Sequence, residues 1–216
     1  MALDIHVGSL TRYYGSAGNR VAAVAESPDH LHPAVLAWRG ALSERLGDNI
    51  AAPLDWDETP DAPHFKGRLD WGGLAALVLW AAYAEHPGLR RASLLPDEWE
   101  RDPALARSKA EGFRSRYSHI VRNVELWLPS DFLFTFESED VVGHRVVVGS
   151  VPTLLRQLVD LNDATWKADA AAVKEWGRRS PPDAAPLELR ARYGFAAMVG
   201  AARQAARYRL PMKLDC

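Results

Sequence analysis

Fourteen consecutive residues, WGGLAALVLWAAYA from Trp71 to Ala84, carry no charged side chain. A helix built from them is apolar all round, so it has to be enclosed by other elements. It also falls short of the roughly 20 residues that span a bilayer. The rest of the chain must therefore supply the surfaces that wrap this segment. With 216 residues, 48% hydrophobic and 25% charged, the chain has the means to do so within one domain.

Around this segment the pattern alternates between helix and strand. Leu3, Ile5 and Val7 alternate with Asp4 and His6, the period of a half-buried strand, which ends at Gly8-Ser9. Residues 15 to 30 read as a loop, and His32 to Gly47 as a helix with a glycine stop. Three prolines between Ala52 and Phe65 forbid a continuous helix there. The apolar helix stops at His86-Pro87-Gly88, and Pro103 to Asn123 reads as a helix weakened by Gly112. Strands are expected at Val124 to Pro129, Phe132 to Phe136 and His144 to Gly149. Ser150 then caps a helix that has Pro152 early and Leu154, Leu155, Leu158 and Leu161 on one face. Helices at 165–177 and Leu187 to Tyr208 follow. The expected fold is α+β: a single helix-rich domain over 1–216, with a small sheet made of the opening strand and the strands between about 124 and 149.

The opening LDIHVGSLTRYY, the acidic PLDWDE, the helix end WAAYAEHP, and LPSDF with VVGHRVVVGS together resemble an uncharacterised family of bacterial soluble proteins. The resemblance runs along most of the chain. It implies one continuous domain and brings no activity with it.

Composition excludes several classes. A net charge of −2 without a Lys/Arg run predicts no binding to nucleic acid or to a membrane surface. Cys216 is a lone cysteine, which rules out an intramolecular disulfide and a cysteine-based zinc site. With no basic region leading into an apolar run at the N-terminus, a cytoplasmic location is expected. Eight tryptophans are many for this length, and one or two of them are candidates to line a pocket or interface.

Candidate functional residues fall into four groups. Asp4 and His6 share one strand face, where a carboxylate and an imidazole can work as an acid–base pair; two ligands do not make a metal site, so no metal is expected. Arg12, Tyr13 and Tyr14 follow the strand end and have hot-spot chemistry, with Arg12 also able to fork onto a phosphate or carboxylate. Asp55, Trp56, Asp57, Glu58 and Asp61 form an acidic loop around an aromatic ring, suited to a basic partner or to pairing with the basic C-terminal segment from Arg190 to Lys213. Glu85 and His86, ending the apolar helix, are costly unless paired or at a cleft, and Arg116 and Tyr117 are candidates for the same cleft.

A local echo, HVGSLT and VVGSVPT, suggests two strand ends that turn at Gly-Ser, either as shared turn chemistry or as neighbours presenting N–H groups to an anion. No nucleophile elbow, phosphate loop or dinucleotide fingerprint is present. The expected function is a non-catalytic binding module, immunity-like, that captures another protein or an anionic small ligand. The alternative is a small-molecule enzyme, metal-assisted in one version, with a pocket around Asp4, His6, Arg12, Glu85 and His86. No cofactor is expected.

Overall fold

The computed structural model describes residues 2–16 and 28–215. Cys216 and most of the loop expected at 15–30 lie outside them. In chain order the elements are β1 (Ala2–Val7), α1 (Leu10–Ser16), α2 (Pro28–Leu46), β2 (Phe65–Asp70), α3 (Trp71–Glu85), α4 (Pro103–Ala110), α5 (Ser118–Val121), β3 (Leu126–Leu128), β4 (Phe136–Glu139), β5 (Arg145–Ser150), α6 (Val151–Ala164), α7 (Ala170–Trp176), α8 (Leu187–Tyr208) and β6 (Met212–Asp215). The strands form one mixed sheet in the order β2-β1-β6-β3-β5-β4. Among the described residues only β3 and β5 are a parallel pair; the other neighbours run antiparallel.

The α+β class holds, with a larger sheet than the sequence suggests. β2 and β6 flank β1 on either side, and neither stands out as an apolar run. The aromatic run from Phe132 is not a strand until Phe136; Phe132, Phe134 and Phe136 instead cluster ring to ring, with centroids 5.1 to 6.0 Å apart. The helix expected over 103–123 breaks in the middle because Gly112 takes a left-handed φ of 64°. Helix α1 fills Leu10–Ser16, a stretch that carries no helical signal in the sequence.

Strand alternation sends side chains into two hydrophobic clusters, one on each sheet face. Leu3, Ile5, Val7, Trp127, Met212 and Leu214 join α3, α5, α6 and α8 in the first. Leu126, Leu128, Val146 and Val148 join α1 and α2 in the second. The apolar helix α3 lies in the first cluster, and Leu77 is fully buried. Asp70 caps its start by accepting from the Gly73 N–H. α3 and α8 approach closely because Gly194 has no side chain: a Cβ there would lie 2.2 Å from the Gly73 carbonyl oxygen. Among the described residues, no helix is long and apolar enough to cross a membrane.

Candidate functional site

The second sheet face carries a polar row where β2, β1 and β6 pair. His6 stands opposite Lys66 on one side and Lys213 on the other; Asp4 stands opposite Arg68 and Asp215. Helix α1 lays Tyr13 and Tyr14 over this row. Tyr13 meets His6 edge-on at 5.0 Å, donates to Asp215 Oδ1 at 3.3 Å, and has Lys213 Nζ 5.4 Å from its ring. Tyr14 is buried and donates to Asp140 Oδ2 at 2.8 Å. Lys213 Nζ lies 3.6 Å from the same oxygen, so a buried cation and a buried carboxylate join the last strand to the turn between β4 and β5. Asp140 also accepts from the Val142 and His144 N–H groups, which fixes that turn.

Beside this network a cavity of about 240 Å³ opens between β1, β2 and α1. His6, Arg12, Tyr13, His64, Lys66 and Lys213 line it together with Ser9 and Ser16. Among the described residues, no carboxylate is part of the lining. Burial and then the charge of Lys66 lower the His6 pKa, with Asp215 and Asp4 pulling the other way. Arg12 braces the wall: it donates to the carbonyls of Pro60 at 2.5 Å and Ala62 at 3.4 Å, and to His64 Nδ1 at 2.5 Å. A guanidinium cannot accept, so His64 carries its proton on Nε2.

The acidic loop divides by burial. Glu58 is buried and its two oxygens accept from the Leu10 and Thr11 N–H groups, each at 2.9 Å, while Trp56 Nε1 donates to the same carboxylate. Trp56 is itself buried, under the Arg39 guanidinium. Asp55 is exposed and pairs with Arg39 at 3.5 Å; Asp57 is exposed and accepts from the Thr59 N–H, which lowers its pKa. The pairing expected between this loop and the basic C-terminal segment is not what forms. Arg190 pairs with Asp183 and Asp70, Arg192 with Glu188, and Lys213 with Asp140.

The two Gly-Ser strand ends do both start helices, but β6 and β3 separate β1 from β5. The anion at the start of α1 is the chain's own Glu58, and Ser150 caps α6 by accepting from the Thr153 N–H.

Glu85 and His86 do not reach the His6 cavity. Glu85 instead accepts from Ser108 Oγ, Ser115 Oγ and the Arg116 N–H at 2.6 to 2.8 Å, tying the end of α3 to the α4–α5 connection. Arg116 meets Glu85 through its backbone N–H, while its guanidinium clamps Asp160 with two bonds of 2.6 and 2.7 Å. Tyr117 is fully buried beneath that guanidinium, and burial raises its pKa. The enzyme pocket of the sequence reading is thus two separate places. Among the described residues, no group of three or more His, Cys, Asp and Glu side chains is arranged to hold a metal ion.

Lys66, His64 and Asp140 were invisible as site residues in the sequence. Lys213 had a legible signal, since Met212 and Leu214 alternate with Lys213 and Asp215. Comparison with protein-family models, curated proteins and solved structures gives no match.

Proposed function

We propose that this chain is a non-catalytic binding protein, cytoplasmic, whose ligand is a small anionic molecule held in the cavity beside β1. One observation carries the reading: five cationic or protonatable side chains (His6, Arg12, His64, Lys66 and Lys213) line a single cavity, with no carboxylate in the lining among the described residues. A cavity with low-dielectric walls and one sign of charge concentrates the opposite sign. The hydroxyls of Ser9, Ser16 and Tyr13 add hydrogen-bonding capacity for phosphate or carboxylate oxygens.

Capture of a protein partner draws less support from the same residues. It needs Tyr14 and Trp56 at the surface, and both are buried.

Isothermal titration with inorganic phosphate tests the reading. Saturable binding in the millimolar range or tighter is expected, and Lys66→Glu, at an exposed position, should weaken it about tenfold or more. No saturable heat with the parent protein, or an unchanged affinity in Lys66→Glu, would sink the reading.

A further inference from the structure

On the opposite sheet face a second cavity, of about 260 Å³, lies between α3, α5, α8 and the strands β3 and β6. Its chemistry is the reverse of the first. Glu100 and Glu125 are its charged lining residues; Trp71, Trp99 and Trp127 supply aromatic walls, and among the described residues no Lys or Arg takes part. The cavity has a direction. Trp71, Glu100 and Asn123 are exposed and mark the mouth, whereas Leu77, His119 and Trp127 are buried and mark the floor.

The floor holds two buried nitrogens, His119 Nε2 and Trp127 Nε1, with no hydrogen-bond partner among the described residues. Their ring edges converge over Gly149, where a Cβ would meet His119 Cδ2 at 2.8 Å and Trp127 Cδ1 at 3.1 Å. The His119 backbone N–H donates to Gln157 Oε1, Gln157 Nε2 donates to Ser118 Oγ, and Ser118 Oγ lies 3.2 Å from His119 Nδ1, a pair in which either atom can carry the proton. Trp127 Nε1 is a donor in any state, and His119 Nε2 is a donor or an acceptor according to its tautomer. An orphaned buried donor costs stability, so a ligand oxygen reaching the floor is favoured.

We propose that this cavity binds a small organic cation bearing a hydroxyl or carbonyl oxygen, with the cation between Glu100, Glu125 and the Trp71 and Trp99 rings and the oxygen accepting from Trp127 Nε1. Cations are attracted to tryptophan faces and to partly buried carboxylates, while an anion would meet two carboxylates in the lining, the nearest cation to act on Glu125 being Lys213 of the other sheet face. Glu125 is half-buried, and burial raises its pKa; a cation seated beside it relieves that cost.

The test uses choline and 3,3-dimethylbutan-1-ol, which match in shape and share the hydroxyl but differ in charge. Isothermal titration should show choline binding about tenfold tighter or more than the neutral alcohol. Glu125→Gln should remove most of that preference, and Trp99→Leu, at a partly exposed wall, should weaken choline several-fold. Equal affinity for the two probes, no binding of either, or choline affinity unchanged in both variants would overturn the proposal. The parent comparison decides alone if a variant fails to fold. Phosphate binding in the other cavity is a separate measurement, so the two proposals stand or fall independently.

Discussion

Lys213 and Leu214 are neighbours on one strand, yet they line cavities of opposite character on opposite sheet faces. The period-2 geometry of β6 sorts them. On the Lys213 side, cations are wired into the protein: Arg12 to two carbonyls, Lys213 to Asp140. On the Leu214 side the polar groups are left open, with Glu125 half-buried and two ring nitrogens orphaned. Burial acts on both sides in the same sense, pulling the His6 pKa down and the Glu125 pKa up, each toward its neutral form. The difference shows that one sheet can keep two charge environments apart when its central strands are apolar on at least one face.

The largest expected effect comes from breaking the wired side. Lys213→Met leaves Asp140, almost fully buried, without its cation, and about 3–5 kcal/mol of stability should be lost. A urea midpoint close to the parent's would mean that the turn N–H groups and Tyr14 alone hold Asp140. On the open side the comparable change is Leu77→Ala, which enlarges the second cavity at a fully buried position. It should cost about 2–5 kcal/mol. If choline then binds no differently, Leu77 forms floor without touching the ligand.

The two sides should also differ in acid. Burial, with Arg156 and Arg122 nearby, lowers the His119 pKa from 6.5 to about 4. The unfolded chain therefore binds more protons between these values, so this contribution is fully present above about pH 6.5 and is lost as pH falls toward 4. The loss should approach about 3 kcal/mol. His6 shifts in the same direction but is half-buried, so its share is smaller. Urea midpoints at pH 7 and pH 4.5 for the parent and His119→Phe check this. A variant that loses as much stability as the parent between those pH values would place the acid sensitivity elsewhere.

Why one half of the molecule was readable and the other was not follows from where each signal resides. Helices α3, α6 and α8 announce themselves locally: an unbroken apolar run, a Ser150 cap ahead of a leucine stripe, and a long periodic stretch. β2, FKGRLD, carries a glycine and three charges and reads as loop; it is a strand because β1 pairs with it along its whole length. α1 has seven residues, too few for a periodic signal, and its start is stabilised by Glu58, which lies 48 residues from Leu10. The first cavity depends on the same long-range pairing, since Tyr13 and Asp215 are 202 residues apart in sequence. Arg12, Tyr13 and His6 stood out by residue type, and their wiring did not.

The smallest effects should come from the acidic loop, and there the contrast is between Glu58 and Asp55, three residues apart in one charged stretch. Asp55 is 79% exposed and meets Arg39 at 3.5 Å, a surface pair worth well under about 1 kcal/mol. Asp55→Asn should leave the urea midpoint nearly unchanged. Glu58 is 5% exposed, and both its oxygens accept backbone N–H groups of α1. Glu58→Gln keeps one acceptor oxygen but turns an amide NH₂ toward a backbone N–H, so a donor faces a donor. About 1–3 kcal/mol should be lost. The same change should loosen α1, which carries Arg12 and Tyr13 into the cavity wall, and so weaken phosphate binding although Glu58 lines no part of that cavity. Parallel measurement of stability and phosphate affinity separates the two roles. If Glu58→Gln is destabilised with phosphate affinity intact, α1 holds its place through Tyr14 and Asp140, and the cap serves stability alone.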